Sequence, residues 1–122
     1  MRGPRGGTTG MYVFARLDDI WHVLVHRRGQ SLSAGKGLLS APGGIVDGKE
    51  CFDHKGTYNF RLGSLHAALR ELKEESGLSI FNTDRMVELL LDQALHGNTQ
   101  HINWGIIVSH AVSVLEGPSV NH

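Results

Sequence analysis

The chain has 122 residues with 40% apolar composition, enough for one hydrophobic core and too short for two ordinary domains. Twelve Lys and Arg balance twelve Asp and Glu, so no net field draws the chain onto nucleic acid or an anionic membrane. A single cysteine, Cys51, excludes an internal disulfide, and no apolar run reaches the ~20 residues of a membrane-spanning helix. These features predict a soluble protein of the cytoplasm.

Residues 1–10 hold four glycines and a proline and read as a flexible arm before a single domain over 11–122. Met11 to Leu17 and Ile20 to His26 are rich in Val, Tyr, Phe, Ile and Trp, and the intervening Asp18-Asp19 predicts an antiparallel hairpin. From Arg28 to Gly48 the periodicity fails and glycines recur around Pro42, which predicts loop with a short strand at Leu38 to Ala41. The stretch from Cys51 to Gly63 has no assignable period. Leu65, Leu69 and Leu72 recur at helical spacing, and Gly77 stands where a left-handed cap belongs, so a helix is predicted over Ser64 to Ser76 with Ser64 as its N-cap. Met86 to Leu95 and His101 to Leu115 read as a further strand pair.

On that helix Glu71, Glu74 and Glu75 fall within a sector of roughly 100°, opposite the leucine stripe. Three carboxylates at i, i+3 and i+4 repel one another when solvated, and a divalent cation would reverse the sign. The plainer alternative is a solvated face, with Arg70 and Lys73 nearby to balance the charge.

The local wording favours the cation. Arg70-Glu71-Leu72-Lys73-Glu74-Glu75-Ser76-Gly77-Leu78 resembles the REUxEExGU core of the Nudix box, where U is a bulky aliphatic residue. Every specified position matches, which at average residue frequencies has a chance on the order of 1 in 10⁵. Upstream, Pro42-Gly43-Gly44-Ile45-Val46-Asp47-Gly48-Lys49-Glu50 matches the opening half of the box, with Gly44 as its glycine and Glu50 as its glutamate. Nineteen residues separate Glu50 from Arg70, against seven in the family pattern. A contiguous box would place Gly56 and Leu62 at the opening positions and lose the carboxylate. The split reading keeps it, with an insertion at about 51–62 at a junction that tolerates added length at small entropic cost.

The resemblance implies an α/β (α+β) fold of the Nudix type, a mixed β-sheet with a loop-helix-loop metal site. It also implies a hydrolase that cleaves a pyrophosphate bond in a nucleoside diphosphate linked to another moiety, with Mg²⁺ or Mn²⁺ as cofactor. Carried over by position, Glu74 and Glu75 are the main metal ligands, Glu71 a further ligand or the base, and Gly44 a backbone-carbonyl ligand. Arg70 pairs with Glu50 or Glu71. Mg²⁺ suits this set, because it takes few carboxylates alongside waters and substrate phosphates. The alternative, motivated by the misspaced Glu50, is a Nudix-fold module that binds a nucleotide or protein partner without turnover.

Arg27 and Arg28, at a strand end, are candidates for substrate phosphate, although strand neighbours point to opposite faces. Tyr58 and Phe60, in the insertion, are candidates for stacking on a base. The stretch from Leu24 to Gly44 has the spacing of a coenzyme A pyrophosphatase motif, but Ser33 and Ala41 stand where arginine and phenylalanine are expected. The histidines form no zinc pattern, His22 and His26 merely sharing a strand face, and Cys51 has no partners for a catalytic triad. The family's fold usually continues into a further strand and a closing helix that this sequence does not show. Apolar residues among Ile102, Trp104, Ile106 and Val108, or their alternates Ile107 and Val112, are therefore expected to be exposed on one face, so that the chain either forms a homo-oligomer or is marginal in stability.

Overall fold

A computed structural model describes residues 5–27, 39–80, 82–90 and 100–108. Its centre is a long strand, β1 (Arg5–Leu17), on which every other part of the main sheet depends. The first half of β1 pairs antiparallel with β5 (Gly43–Asp47), and its last residues pair antiparallel with β2 (Ile20–Val23). Along its other edge β1 runs parallel to β7 (His101–Val108), which in turn carries β6 (Val87–Leu89) antiparallel. A separate two-stranded ladder joins β3 (His26–Arg27) to β4 (Leu39–Ser40). Among the described residues one α-helix, α1 (Phe60–Ser76), packs on the sheet. The predicted mixed α/β architecture is observed.

The hairpin of β1 and β2 turns at Asp18-Asp19, both at positive φ, as a two-residue turn between right-twisted strands demands. Other elements depart from the sequence reading. Residues 5–10 are strand rather than flexible arm: Thr8, Thr9 and Gly10 are paired on both sides, by β5 and by β7. Gly43–Asp47, read as loop for its glycines, is a strand because Gly43 lies so close to β1 that a Cβ there would meet Thr9 O at 2.5 Å. The segment 91–99 and residues 109–122, including Val112, lie outside the described residues.

Met11, Val13 and Ala15 alternate inward from β1, and Met11 and Val13 meet Trp104 and Ile106 of β7 beneath Ala68 and Leu72 of α1. Of the two alternating sets, Trp104 and Ile106 are therefore core. Their neighbour Ile107 faces outward, with Trp21, Val23 and Val87 also exposed. The indole N–H of Trp104 donates to Ser64 Oγ at 3.0 Å, so the helix is held to the sheet by a buried polar contact as well as by packing.

Helix α1 begins four residues earlier than predicted. Asn59, not Ser64, is the N-cap, its side chain accepting from the Leu62 N–H at 3.1 Å. Gly77 closes the other end at φ 78°, as predicted. The buried side of the helix is made mainly of small residues, Gly63, Ser64, Ala67, Ala68 and Ser76, together with Leu72, while Leu65 and Leu69 flank it half-buried. Small side chains let the helix approach β1, β5 and the 3-10 turn Gly48–Cys51 closely.

The last residues of the insertion, Phe60 to Leu62, form the first turn of α1, and the rest closes on itself. The chain leaves the 3-10 turn at Cys51 and returns at Asn59, whose N–H donates to Cys51 O at 2.5 Å. Between them Phe52 bridges Tyr58, and Asp53 Oδ1 accepts from the backbone of Lys55 and Thr57. A loop closed at its neck in this way adds length without separating the parts it joins.

At Gly63 an added Cβ would meet the Cys51 thiol and lie 2.8 Å from Cys51 Cα. Gly63→Ala is expected to destabilise the protein by about 2 kcal/mol through overpacking, read from urea unfolding as a lower midpoint at unchanged slope.

Candidate functional site

Glu50 sits in the 3-10 turn that follows β5, where Asp47 and Glu50 form a reciprocal capping box: Asp47 accepts from Lys49 N–H, and Glu50 accepts from Asp47 N–H at 3.0 Å. Its carboxylate is thus held before any other residue reaches it. Arg70, on α1, then takes it with two groups, Nε to Oε2 at 3.1 Å and Nη2 to Oε1 at 2.9 Å. The same guanidinium donates to Ile45 O at 3.1 Å and to Glu71 Oε1 at 3.0 Å. Only arginine has enough donors in a fixed fork to reach three acceptors on three segments. These hydrogen bonds, above all those to Glu50, raise the guanidinium's pKa beyond its already high ordinary value. The structure therefore brings the two separated halves of the motif together, Glu50 against Arg70 and Gly44 against Glu71.

At Gly44 a Cβ would lie 2.6 Å from Glu71 Oε1. Glycine is required for that approach, and it carries a backbone segment against the carboxylate. The acidic residues of the helix are not opposite its buried side, as the leucine spacing implied. At 100° per residue, Ser64, Ala68, Glu71 and Glu75 fall within about 60° of one another, so Glu71 and Glu75 continue the packed face toward its C-terminal end. Glu71 is 16% and Glu75 23% exposed, whereas Glu74 is 57% exposed. For Glu71 and Glu75 the solvated-face alternative fails.

Glu75 is held from two sides. Its Oε1 accepts from Gly43 N–H at 2.9 Å, and its Oε2 lies 2.9 Å from His26 Nε2. His26, read from the sequence as merely sharing a strand face with His22, is buried and belongs to β3, not to the strand of His22. Its signal in the sequence was weak: a histidine at a strand end beside two arginines.

Burial raises the Glu71 carboxyl above its ordinary range, the negative charge of Glu75 adds to the effect, and Arg70 opposes it. Glu71, Glu74 and Glu75 supply oxygen donors only, and with the Gly44 carbonyl they form the donor chemistry of a hard divalent cation. The crowding that lifts Glu71 is what such a cation would relieve, so the residues fit one. Among the described residues, however, no three His, Cys, Asp or Glu side chains converge as a ready-made cage.

Arg27 ends β3, opposite Leu39, and Arg28 lies outside the described residues. Tyr58 is exposed and packs edge-to-face on Phe52, at the N-terminal end of the helix. Phe60 is not in a loop: it is the first helical residue and packs on Val46, Cys51 and Ala67. About 16 Å of helix separates Phe60 from Glu71, so the structure does not bring it to the carboxylates. Cys51 is buried, and burial pushes its thiol pKa up, the opposite of an activated nucleophile.

A mixed sheet carrying a helix with inward carboxylates, clamped by an arginine to a glycine-rich strand, defines a class of fold rather than a single protein. No family model matches the chain, and the search of curated proteins found no match. Among solved structures it is similar to a MutT/nudix family protein from Enterococcus faecalis, with a TM-score of 0.56 and 18% identity over 83% of this chain and 36% of that one. It is also similar to the NUDIX domain of Shewanella oneidensis NrtR, solved with ADP ribose, with a TM-score of 0.50 and 19% identity over 84% of this chain and 60% of that one. A C. elegans Ap4A hydrolase gives a TM-score of 0.50 and 18% identity over 85% of this chain and 68% of that one. The chain has the Nudix fold, and it spans less than two thirds of the first two of these structures. Among the described residues no helix is long and apolar enough to cross a membrane.

A carboxyl whose pKa is raised on folding stabilises the native state fully below its unfolded value and loses that contribution as pH rises through the raised value. Metal-free wild type should therefore lose stability relative to Glu71→Gln as pH rises above the ordinary carboxylate range. At pH 7 the variant should melt a few degrees higher, a difference that thermal scans across pH 4 to 8 would reveal.

Proposed function

We propose that this chain hydrolyses a phosphoric anhydride bond in a nucleoside diphosphate linked to another moiety, with water as nucleophile. The observation that carries the reading is the joining of Glu50, Arg70, Glu71 and Gly44 from segments separated by the insertion, with Glu75 turned inward beside them. A resident Mg²⁺ or Mn²⁺ would be held by Glu71, Glu74, Glu75 and the Gly44 carbonyl, and when bound would neutralise phosphate charge and acidify the attacking water.

The chain's own residues do the rest. Glu71, partly buried and held by Arg70, would accept a proton from water as a P–O bond forms and the bridging P–O bond breaks. Arg70 orients Glu71 through Nη1 and fixes the helix to Glu50. Gly43 N–H holds Glu75 in place. Arg27 and Arg28 are proposed to meet substrate phosphates and Tyr58 to meet a base, with Phe60 confined to supporting it from the core. The ADP ribose bound by the NrtR domain and the dinucleotide named for the Ap4A hydrolase support nucleotide-linked diphosphates as the first substrates to try. An intracellular location suits such substrates and the lone, buried Cys51.

The test is incubation with ADP-ribose, dinucleoside polyphosphates, nucleotide sugars and nucleoside triphosphates, with and without Mg²⁺. Metal-dependent product from at least one is expected, and Glu75→Gln should lower that rate by roughly 100-fold or more. Nucleotide binding without product under every condition would instead support the binding module.

A further inference from the structure

We propose that His26 is a positioning residue that fixes the Glu75 carboxylate in the orientation in which it receives a divalent cation. The proposal rests on the reading of Glu75 as a cation ligand. Glutamate on a helix has three rotatable bonds, and ordering such a side chain costs rotamer entropy. Glu75 also faces the charge of Glu71, which pushes it away from the site. Left alone, it would swing out to water.

Two donors from outside the helix prevent this. Gly43 N–H, at the start of β5, takes Oε1, and His26 Nε2 takes Oε2, each at 2.9 Å. A carboxylate only accepts, so the imidazole nitrogen is the donor. Donors at both oxygens set the plane of the group. The His26 ring is itself fixed, since it is 9% exposed and its backbone is paired with Ser40 in the β3–β4 ladder. That ladder leads through Pro42 into Gly43, so both donors approach Glu75 from connected backbone. Partners that orient a metal-binding carboxylate act on affinity without touching the ion.

The measurement is Mn²⁺ binding, read from the electron paramagnetic resonance signal of the free aqua ion, for wild type, His26→Phe and His26→Gln. His26→Phe keeps a ring but loses the donor and should bind Mn²⁺ about 10–100-fold more weakly. His26→Gln, whose amide nitrogen reaches the place of Nε2, should stay close to wild type. Equal affinity of wild type and His26→Phe would overturn the role of His26 alone. Absence of Mn²⁺ binding by wild type would overturn the cation reading and this proposal with it. If His26→Phe does not fold, wild type decides the matter: sub-stoichiometric Mn²⁺ should broaden the His26 ring signals in NMR spectra before those of the exposed His22, His54 and His66. Persistence of the His26 signals as Mn²⁺ binds would place the ion away from Glu75 and overturn the proposal.

Discussion

The guanidinium of Arg70 is the point through which the site is assembled. It reaches the 3-10 turn at Glu50, the strand at Ile45 O and its own helix at Glu71. A helix packed only by its apolar residues could rotate or slide by a fraction of a turn at small cost. A three-way clamp with directional bonds removes that freedom, and it does so at the turn of the helix that bears the carboxylates. Arg70 is 36% exposed, so solvent weakens each pair. The value of the arrangement lies in geometry as much as in binding strength.

The second constraint is the use of small residues. Gly63, Ser64, Ala67 and Ala68 bring α1 close to β5 and the 3-10 turn, and Gly43 and Gly44 bring β5 close to β1 and to Glu71. Close approach is what carries Glu71 and Glu75 into a partly buried setting, and burial is what makes Glu71 hold its proton more tightly. The chemistry proposed for the site thus follows from packing choices one and two turns away. The insertion does not disturb this, because Asn59 N–H and Cys51 O close its neck; the helix begins directly after it.

Much of this was legible in the residues themselves. Arg70 to Leu78 and the Pro42 to Glu50 segment announced the motif, Gly77 its cap, and Asp18-Asp19 the hairpin, because each is a local signal set by backbone sterics or side-chain chemistry. What escaped were features fixed by tertiary contact. Residues 5–10 look like a flexible arm until β5 pairs along them and β7 joins the other side from Thr8 onward. Leu65, Leu69 and Leu72 suggested the wrong centre for the buried face, since the closest approach belongs to residues too small to register as hydrophobic. His26 finds Glu75 only because the β3–β4 ladder delivers it there, and no spacing rule encodes a contact across so much sequence.

The central claim is that the split motif acts as one unit through Arg70 and Glu50. A double-mutant cycle on the metal-free protein tests it most directly, with Glu50→Gln, Arg70→Met and the double variant compared by urea unfolding. The account predicts a coupling energy of at least about 1 kcal/mol, as expected for residues sharing one hydrogen-bonded network. Effects that add to within about 0.3 kcal/mol would mean that the two halves of the motif lie side by side without depending on each other, and would contradict it.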